Sequence, residues 1–199
     1  MVQTSEAAEQ SGDQSGFLAG RLLIAMPGIG DERFERAVIC LCAHDAEHAM
    51  GIAVNRPVDG LTLQSLLEKL GVEGAENGRD DIVLMGGPVE RERGFVLHTD
   101  DYPGQIGTLA VGDGLALTTS RDVLSALAGE GPPSKAILAL GCAGWGAGQL
   151  EAEMRENVWL VADPDPELIF GDDHDHKWSR ALASLGVSAE QLSGQAGRA

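Results

Sequence analysis

Basic residues are scarce in this chain of 199 residues: 14 Lys and Arg stand against 31 Asp and Glu, a formal net charge of −17. The bases are scattered, with close pairs such as Arg33/Arg36 and Arg91/Arg93. Binding to a polyanion needs clustered cations, so direct contact with DNA, RNA or an anionic membrane is not expected. Long apolar runs are also missing. The longest strongly apolar stretch, 37–43, falls far short of the ~20 residues a spanning helix needs. Cysteine is sparse and odd in number; Cys40, Cys42 and Cys142 lack framework spacing, which argues against a disulfide scaffold and for reduced core thiols. Residues 1–16 contain neither a basic nor an apolar leader segment, so no secretory signal is expected and the cytoplasm is the expected compartment.

What is present suits one globular domain. Hydrophobic residues make up 43% and charged residues 23%, ordinary values that exclude wholesale disorder. The length is enough to bury roughly 70% of the unfolded surface. The sequence shows no internal repeat and no linker between two cores. A single domain over 17–192 is expected, with a disordered tail at 1–16 and a frayed one at 193–199.

Periodicity places the elements. Strands are predicted at 21–26, 37–43 and 49–55, the last two forming an antiparallel hairpin; both runs are apolar on both faces, so both faces should be buried. Leu63, Leu66, Leu67 and Leu70 follow the i, i+3, i+4, i+7 rule of a helix, with Thr62 as N-cap and Gly71 as stop. Strands follow at 82–85, 95–98, 108–111 and 115–118, with a turn at Gly112-Asp113-Gly114. A helix over 121–128 is announced by Thr119 and Asp122, an approximate capping box. A short strand at 136–140 leads into a glycine-rich loop from Gly141 to Gly148. A helix over 149–157, a strand over 158–162 and a helix over 177–185 complete the chain. Strands that neighbour one another early and mix with helices late point to α+β.

Several motifs suggest chemistry and also have simpler structural readings. His44-Asp45-Ala46-Glu47-His48 matches a metallopeptidase pattern, but it is the whole connection of a hairpin, with no helix to align the two imidazoles. Asp172-Asp173-His174-Asp175-His176 sits in the most acidic stretch and could ligate a divalent cation, but reads more simply as an acidic loop and first helical turn whose carboxylates complement the dipole. Gly28-x-Gly30 lacks the third glycine of a dinucleotide fingerprint. The 141–148 run lacks the G-K-[ST] ending of a phosphate loop; it could offer N–H groups to an anion near Gln149, or simply allow close helix–strand packing. Cys142 could be a nucleophile on a sharp turn, yet no base can be assigned to it, and a buried thiol is the simpler reading. No metal and no other cofactor is expected.

Leu22-Leu23-Ile24-Ala25-Met26-Pro27, then Asp31, Phe34, Arg36, Val38-Ile39 and Cys42, resemble the opening of the YqgE/AlgH family. So do Gly51-Ile52-Ala53-Val54-Asn55-Arg56-Pro57, Gly86-Gly87-Pro88-Val89, Arg93-Gly94-Phe95-Val96-Leu97-His98 and Gly144-Trp145-Gly146-Ala147-Gly148-Gln149-Leu150-Glu151. The resemblance implies a single α+β domain whose bent, bifurcated mixed sheet folds into a pseudo-barrel with flanking helices. It also implies a regulatory label, linked to alginate production in one bacterial group, without an established activity or agreed catalytic residues. The family commonly has Tyr where this chain has Cys142, which argues against obligatory thiol chemistry.

The polar members of these motifs, Asn55, Arg56, Arg93, His98 and Gln149, with Trp145 as an aromatic wall, are the candidate ligand-binding residues. Their side chains would suit a small anionic or carbonyl-bearing ligand, and a protein partner is the other occupant considered. Each also has a structural reading: Asn55 and Arg56 fixing the turn before Pro57, Arg93 pairing with an acid, His98 ending a strand. The leading expectation is a regulatory or binding protein; the alternative is a hydrolase or transferase.

Overall fold

Side chains alternate across a strand, so a run that is apolar at every position must be covered on both faces. That condition sets the middle of this sheet. The computed structural model describes residues 17–77, 79–103, 106–129, 131–189 and 192; the expected tails at 1–16 and 193–199 lie outside them. Strands β1 (Leu22–Ala25), β2 (Val38–His44) and β3 (His48–Ala53) are almost wholly buried. Leu22 and Ile24 enter one core cluster with Cys40, Cys42, Ile52, Leu97 and Leu117. Leu23 and Ala25 enter another with Ile39, Leu41, Trp145 and Trp159. The 37–55 segment is an antiparallel hairpin as predicted, with an irregularity between Leu41 and Ala43.

The remaining strands are β4 (Pro57–Thr62), β5 (Ile82–Met85), β6 (Val89–Thr99), β7 (Thr108–Gly112), β8 (Leu115–Thr118), β9 (Ala136–Gly146) and β10 (Trp159–Ala162). They run in the order β10-β1-β2-β3-β9-β6-β8-β7, with β4 and β5 off this path. Pairing is antiparallel except between β5 and β9. The helices are α1 (Leu63–Lys69), α2 (Arg121–Ala128), α3 (Gln149–Arg155), α4 (Pro166–Phe170) and α5 (Lys177–Ser184). The result is an α+β domain built on a curled, open, bifurcated sheet. Helices α1 and α2 cover a third cluster, Leu63, Leu67, Val83, Val96, Val123 and Leu127. Among the described residues no helix is long and apolar enough to cross a membrane.

The bifurcation lies in β9. Its residues Ala139 and Leu140 pair with β5, while Ala143 to Gly146 pair with β3. Gly141 separates the two halves with φ +72, a conformation that only glycine adopts cheaply. The predicted loop at 141–148 is thus corrected: the strand continues to Gly146, because two sheet halves supply hydrogen-bond partners that a local reading cannot see. Strand β6 is likewise longer than 95–98. Its first residues, Val89-Glu90-Arg91-Glu92-Arg93, are exposed and so give no apolar signal.

Local chemistry fixed the helix ends well. Thr62 caps α1 through a reciprocal bond with Ser65, and Gly71 follows with φ +67. The cap of α2 differs from expectation: Ser120 is the N-cap, without a side-chain bond, while the Thr119 hydroxyl accepts from Arg93. The short helix α4, unforeseen in the acidic stretch, is started by Asp165 accepting from Glu167 N at 2.8 Å and by Pro166 in its first turn.

Candidate functional site

Three separate stretches meet beside the bifurcation. The first is a 3-10 turn, Glu32–Phe34, capped by Asp31. The second runs through Pro88 and Val89 into the exposed start of β6. The third is the end of β9 with α3. Together they line a groove of about 370 Å³ whose walls include Asp31, Arg33, Phe34, Pro88, Trp145, Gln149, Glu153 and Trp159. It adjoins a smaller pocket of about 140 Å³ lined by Arg33, Phe34, Arg56, Met85, Gly87, Pro88 and Arg91. Arg33, Phe34 and Pro88 line both, so the two lie side by side on one face.

The carboxylate of Glu153 organises the larger part. Its Oε2 accepts from Trp145 Nε1 at 2.9 Å and Trp159 Nε1 at 2.7 Å, and its Oε1 accepts from Gln149 Nε2 at 2.9 Å. Gln149 in turn accepts from Gly146 N at 3.1 Å, tying α3 to the end of β9. Asp31 and Arg33 form a two-pronged pair at 2.7 and 3.0 Å. The Arg33 guanidinium holds the Asp31 carboxyl below its usual range.

The smaller pocket is cationic. Arg56 donates from Nη2 to Glu35 O at 2.7 Å, while its buried Nε has no partner. Burial pushes the guanidinium down from its ordinary value. No carboxylate lies within ion-pair distance of Arg56 or Arg91 among the described residues. A buried N–H without a partner is rare enough in folded proteins to call for a reason.

Of the six sequence-derived candidates, Arg56, Trp145 and Gln149 line these two cavities. Asn55 stands behind it: its Oδ1 accepts from Val38 N at 2.9 Å and its Nδ2 donates to Arg36 O at 2.8 Å, which fixes the entry to β2. Arg93 lies elsewhere, over the ring of Phe95 at 5.4 Å and 3.3 Å from Glu90. His98 is fully buried in the sheet, with Nδ1–H donating to Thr99 O at 2.7 Å and Nε2 bonded to the Thr118 hydroxyl at 2.8 Å. Asn55, Arg56, Arg93 and His98 therefore do not share one pocket, because successive positions on a strand point to opposite faces and His98 falls on the inner one. Sequence reading missed Asp31, Arg33, Phe34, Arg91 and Glu153. The pairs Arg33/Arg36 and Arg91/Arg93 were the available signal, but only the fold shows which member of each faces the groove.

The other motifs resolve into structure. His44 Nε2 meets Glu151 at 2.8 Å while His48 Nδ1 meets Asp45 at 3.0 Å, so the two imidazoles are committed to different carboxylates. The 172–176 block is the acidic loop ahead of α5 and reaches the helix only through His176 at its N-cap; His176 Nδ1 bonds Asp173 at 2.7 Å. Cys142 lies inside β9, buried at 4% exposure, and burial raises its thiol above the ordinary value. That is the reverse of an activated nucleophile. Cys142→Ser should stay folded at a cost of about 1 kcal/mol, from placing a hydroxyl in apolar surroundings; urea denaturation measures it, and a folded variant without cellular activity would point to thiol chemistry. A second crevice of about 240 Å³ lies against α1 and α2. Leucine and valine side chains share its lining with Thr118, Thr119 and Ser120, and its two charged residues, Glu92 and Arg121, are of opposite sign.

Comparison with known proteins places the chain. A family model described as AlgH-like (DUF179) matches residues 22–190. A UPF0301 protein of Caulobacter vibrioides is 60% identical over 188 residues, covering 94% of this chain and 96% of its own. The UPF0301 protein blr1492 of Bradyrhizobium diazoefficiens is 49% identical over 208 residues, covering 99% and 97%. The solution structure of the AlgH protein from Pseudomonas aeruginosa superimposes with a TM-score of 0.73 at 39% identity over 100% of both chains. The crystal structure of DIP2367 from Corynebacterium diphtheriae, at 18% identity, gives 0.65 over 83% and 85%, a likeness of fold.

Proposed function

The chain belongs to the AlgH-like family, and from that premise we propose that it is a regulatory binding protein of the bacterial cytoplasm that works by taking a small anionic ligand into the groove beside the bifurcation. One observation carries this reading. Arg56 and Arg91, from separate segments, line one small pocket without a carboxylate within ion-pair distance among the described residues, in a chain with 31 acids. Acids to neutralise them are plentiful, so two guanidinium groups in a concavity with no carboxylate in ion-pair contact suit a ligand that brings the negative charge. A guanidinium grips phosphate or carboxylate through paired N–H donors, which gives direction as well as attraction.

Binding energy here comes from charge-assisted hydrogen bonds to an oxyanion, about 1.5–3 kcal/mol each. Arg91 is exposed, so its removal should change stability by less than about 0.5 kcal/mol. Arg91→Ala is accordingly expected to weaken inorganic phosphate binding roughly tenfold or more with an unchanged melting temperature. Calorimetric titration and thermal melts measure the two. Unaltered phosphate affinity in Arg91→Ala, or no phosphate binding by the native protein at millimolar concentration, would remove the proposal.

A further inference from the structure

The two adjoining cavities carry charge of opposite sign, Glu153 in the larger and Arg56 with Arg91 in the smaller. Glu153 is held by three neutral donors, the indole N–H groups of Trp145 and Trp159 and the amide of Gln149, and no Lys, Arg or His lies within ion-pair distance of it among the described residues. A carboxylate offers about four lone-pair sites, so one on Oε1 remains open. Asp31 and Arg33 cancel each other in a two-pronged pair. What remains, among the described residues, is a negative charge at Glu153 with no cation within ion-pair distance, and positive charge at Arg56 and Arg91 with no carboxylate that close, Asp31 and Glu35 acting on Arg56 only from farther away.

The Glu153 end is also aromatic. Phe34 and Trp159 meet edge-to-face with centroids 5.7 Å apart, and Trp145 and Trp159 do so at 5.9 Å. All three line the larger cavity. Phe34 already carries the Arg33 guanidinium over its ring at 5.9 Å; the indoles of Trp145 and Trp159, backed by the Glu153 carboxylate, form an environment that attracts an ammonium group, through the ring quadrupole and the charge together. A purely anionic ligand would leave that end unanswered, and a purely cationic one would be repelled at the other.

We infer that the ligand is a small zwitterion, with a phosphate or carboxylate at Arg56 and Arg91 and an ammonium group against Glu153 and the aromatic rings. This rests on the reading of the groove as an anion site and adds the second pole to it. The test uses phosphorylcholine, inorganic phosphate and choline as probes on the full-length protein, followed by calorimetry and by the fluorescence of Trp145 and Trp159. Phosphorylcholine is expected to bind roughly tenfold more tightly than phosphate. Glu153→Gln keeps an oxygen for the indole donors and removes the charge, so it should bring that ratio to about one while phosphate binding persists. Arg91→Ala should weaken both phosphate-bearing probes. Equal affinity of the native protein for phosphorylcholine and phosphate overturns the zwitterion and leaves the anion groove standing. Binding of choline alone overturns the anion groove and the zwitterion with it, as does binding of no probe. The comparison on native protein decides the matter even if Glu153→Gln does not fold.

Discussion

A single added methyl group at Gly87 is expected to lower the stability of this protein by about 3 kcal/mol or more. A β-carbon there would fall on the backbone of Cys142 and Ala143, and backbone cannot rotate aside as a side-chain tip can. Gly86 is in the same position against the Gly141 carbonyl, and a β-carbon on Gly141 would sit 2.5 Å from Gly87 O. These contacts mark where the segment leaving β5 crosses β9, so the crossing must open for any side chain to enter. For a domain of this size the loss corresponds to a fall in melting temperature of roughly 6–12 °C. Gly146→Ala is the control: no heavy atom lies within 4 Å of the place its methyl group would take, and a change within about 0.5 kcal/mol is expected. Thermal melts followed by circular dichroism compare the two. A Gly87→Ala protein melting within a degree or two of the native one would show that the crossing is not held by close backbone contact.

The second large effect depends on pH. Lys177 has no exposed surface; its Nζ donates to Val54 O at 2.8 Å and Ile169 O at 3.1 Å. Burial pulls its pKa down to about 8 from an ordinary 10.5, and the two carbonyls match the two N–H donors of a neutral amine. Between these values the unfolded chain holds a proton that the folded chain releases, so stability contributed at Lys177 rises with pH across that window. The gap corresponds to about 3 kcal/mol. Buried thiols oppose it: Cys42, through Cys40 and burial, and Cys142, through burial, are raised above their ordinary value of 9, so they lose stability as the unfolded thiols ionise above that pH. The informative quantity is therefore the stability of the native protein minus that of Lys177→Met, in which the thiols cancel. Urea denaturation should show this difference growing by about 3 kcal/mol between pH 7 and pH 10.5. A difference that stays flat would mean that Lys177 is solvated in the folded protein.

Both effects arise where sequence reading stopped. The hairpin of β2 and β3, the helix from Leu63 with its Thr62 cap, and the span of α2 were legible because alternation, helical periodicity and capping act between residues a few positions apart. Lys177 left a faint trace of the same kind: it lies four residues before Ala181, which is buried with it, but a lysine at a helix start also suits solvent, and only α5 packing under Val54 and Ile169 decides between them.

Composition determined that this acidic chain has no clustered cationic surface in sequence, and pattern determined an α+β domain with strands buried on both faces. The tertiary structure decided the rest. It carried β9 through the glycine run, because β5 and β3 offer successive partners along one strand. It also selected Arg56, Trp145 and Gln149 for the groove, turned His98 inward and added Arg33, Phe34, Arg91 and Glu153 from other segments. Charge counts sum over the chain, whereas neutralisation depends on which side chains come within a few ångströms of each other. Residues as far apart as Asp31 and Glu153 are brought to one wall only by the curl and bifurcation of the sheet.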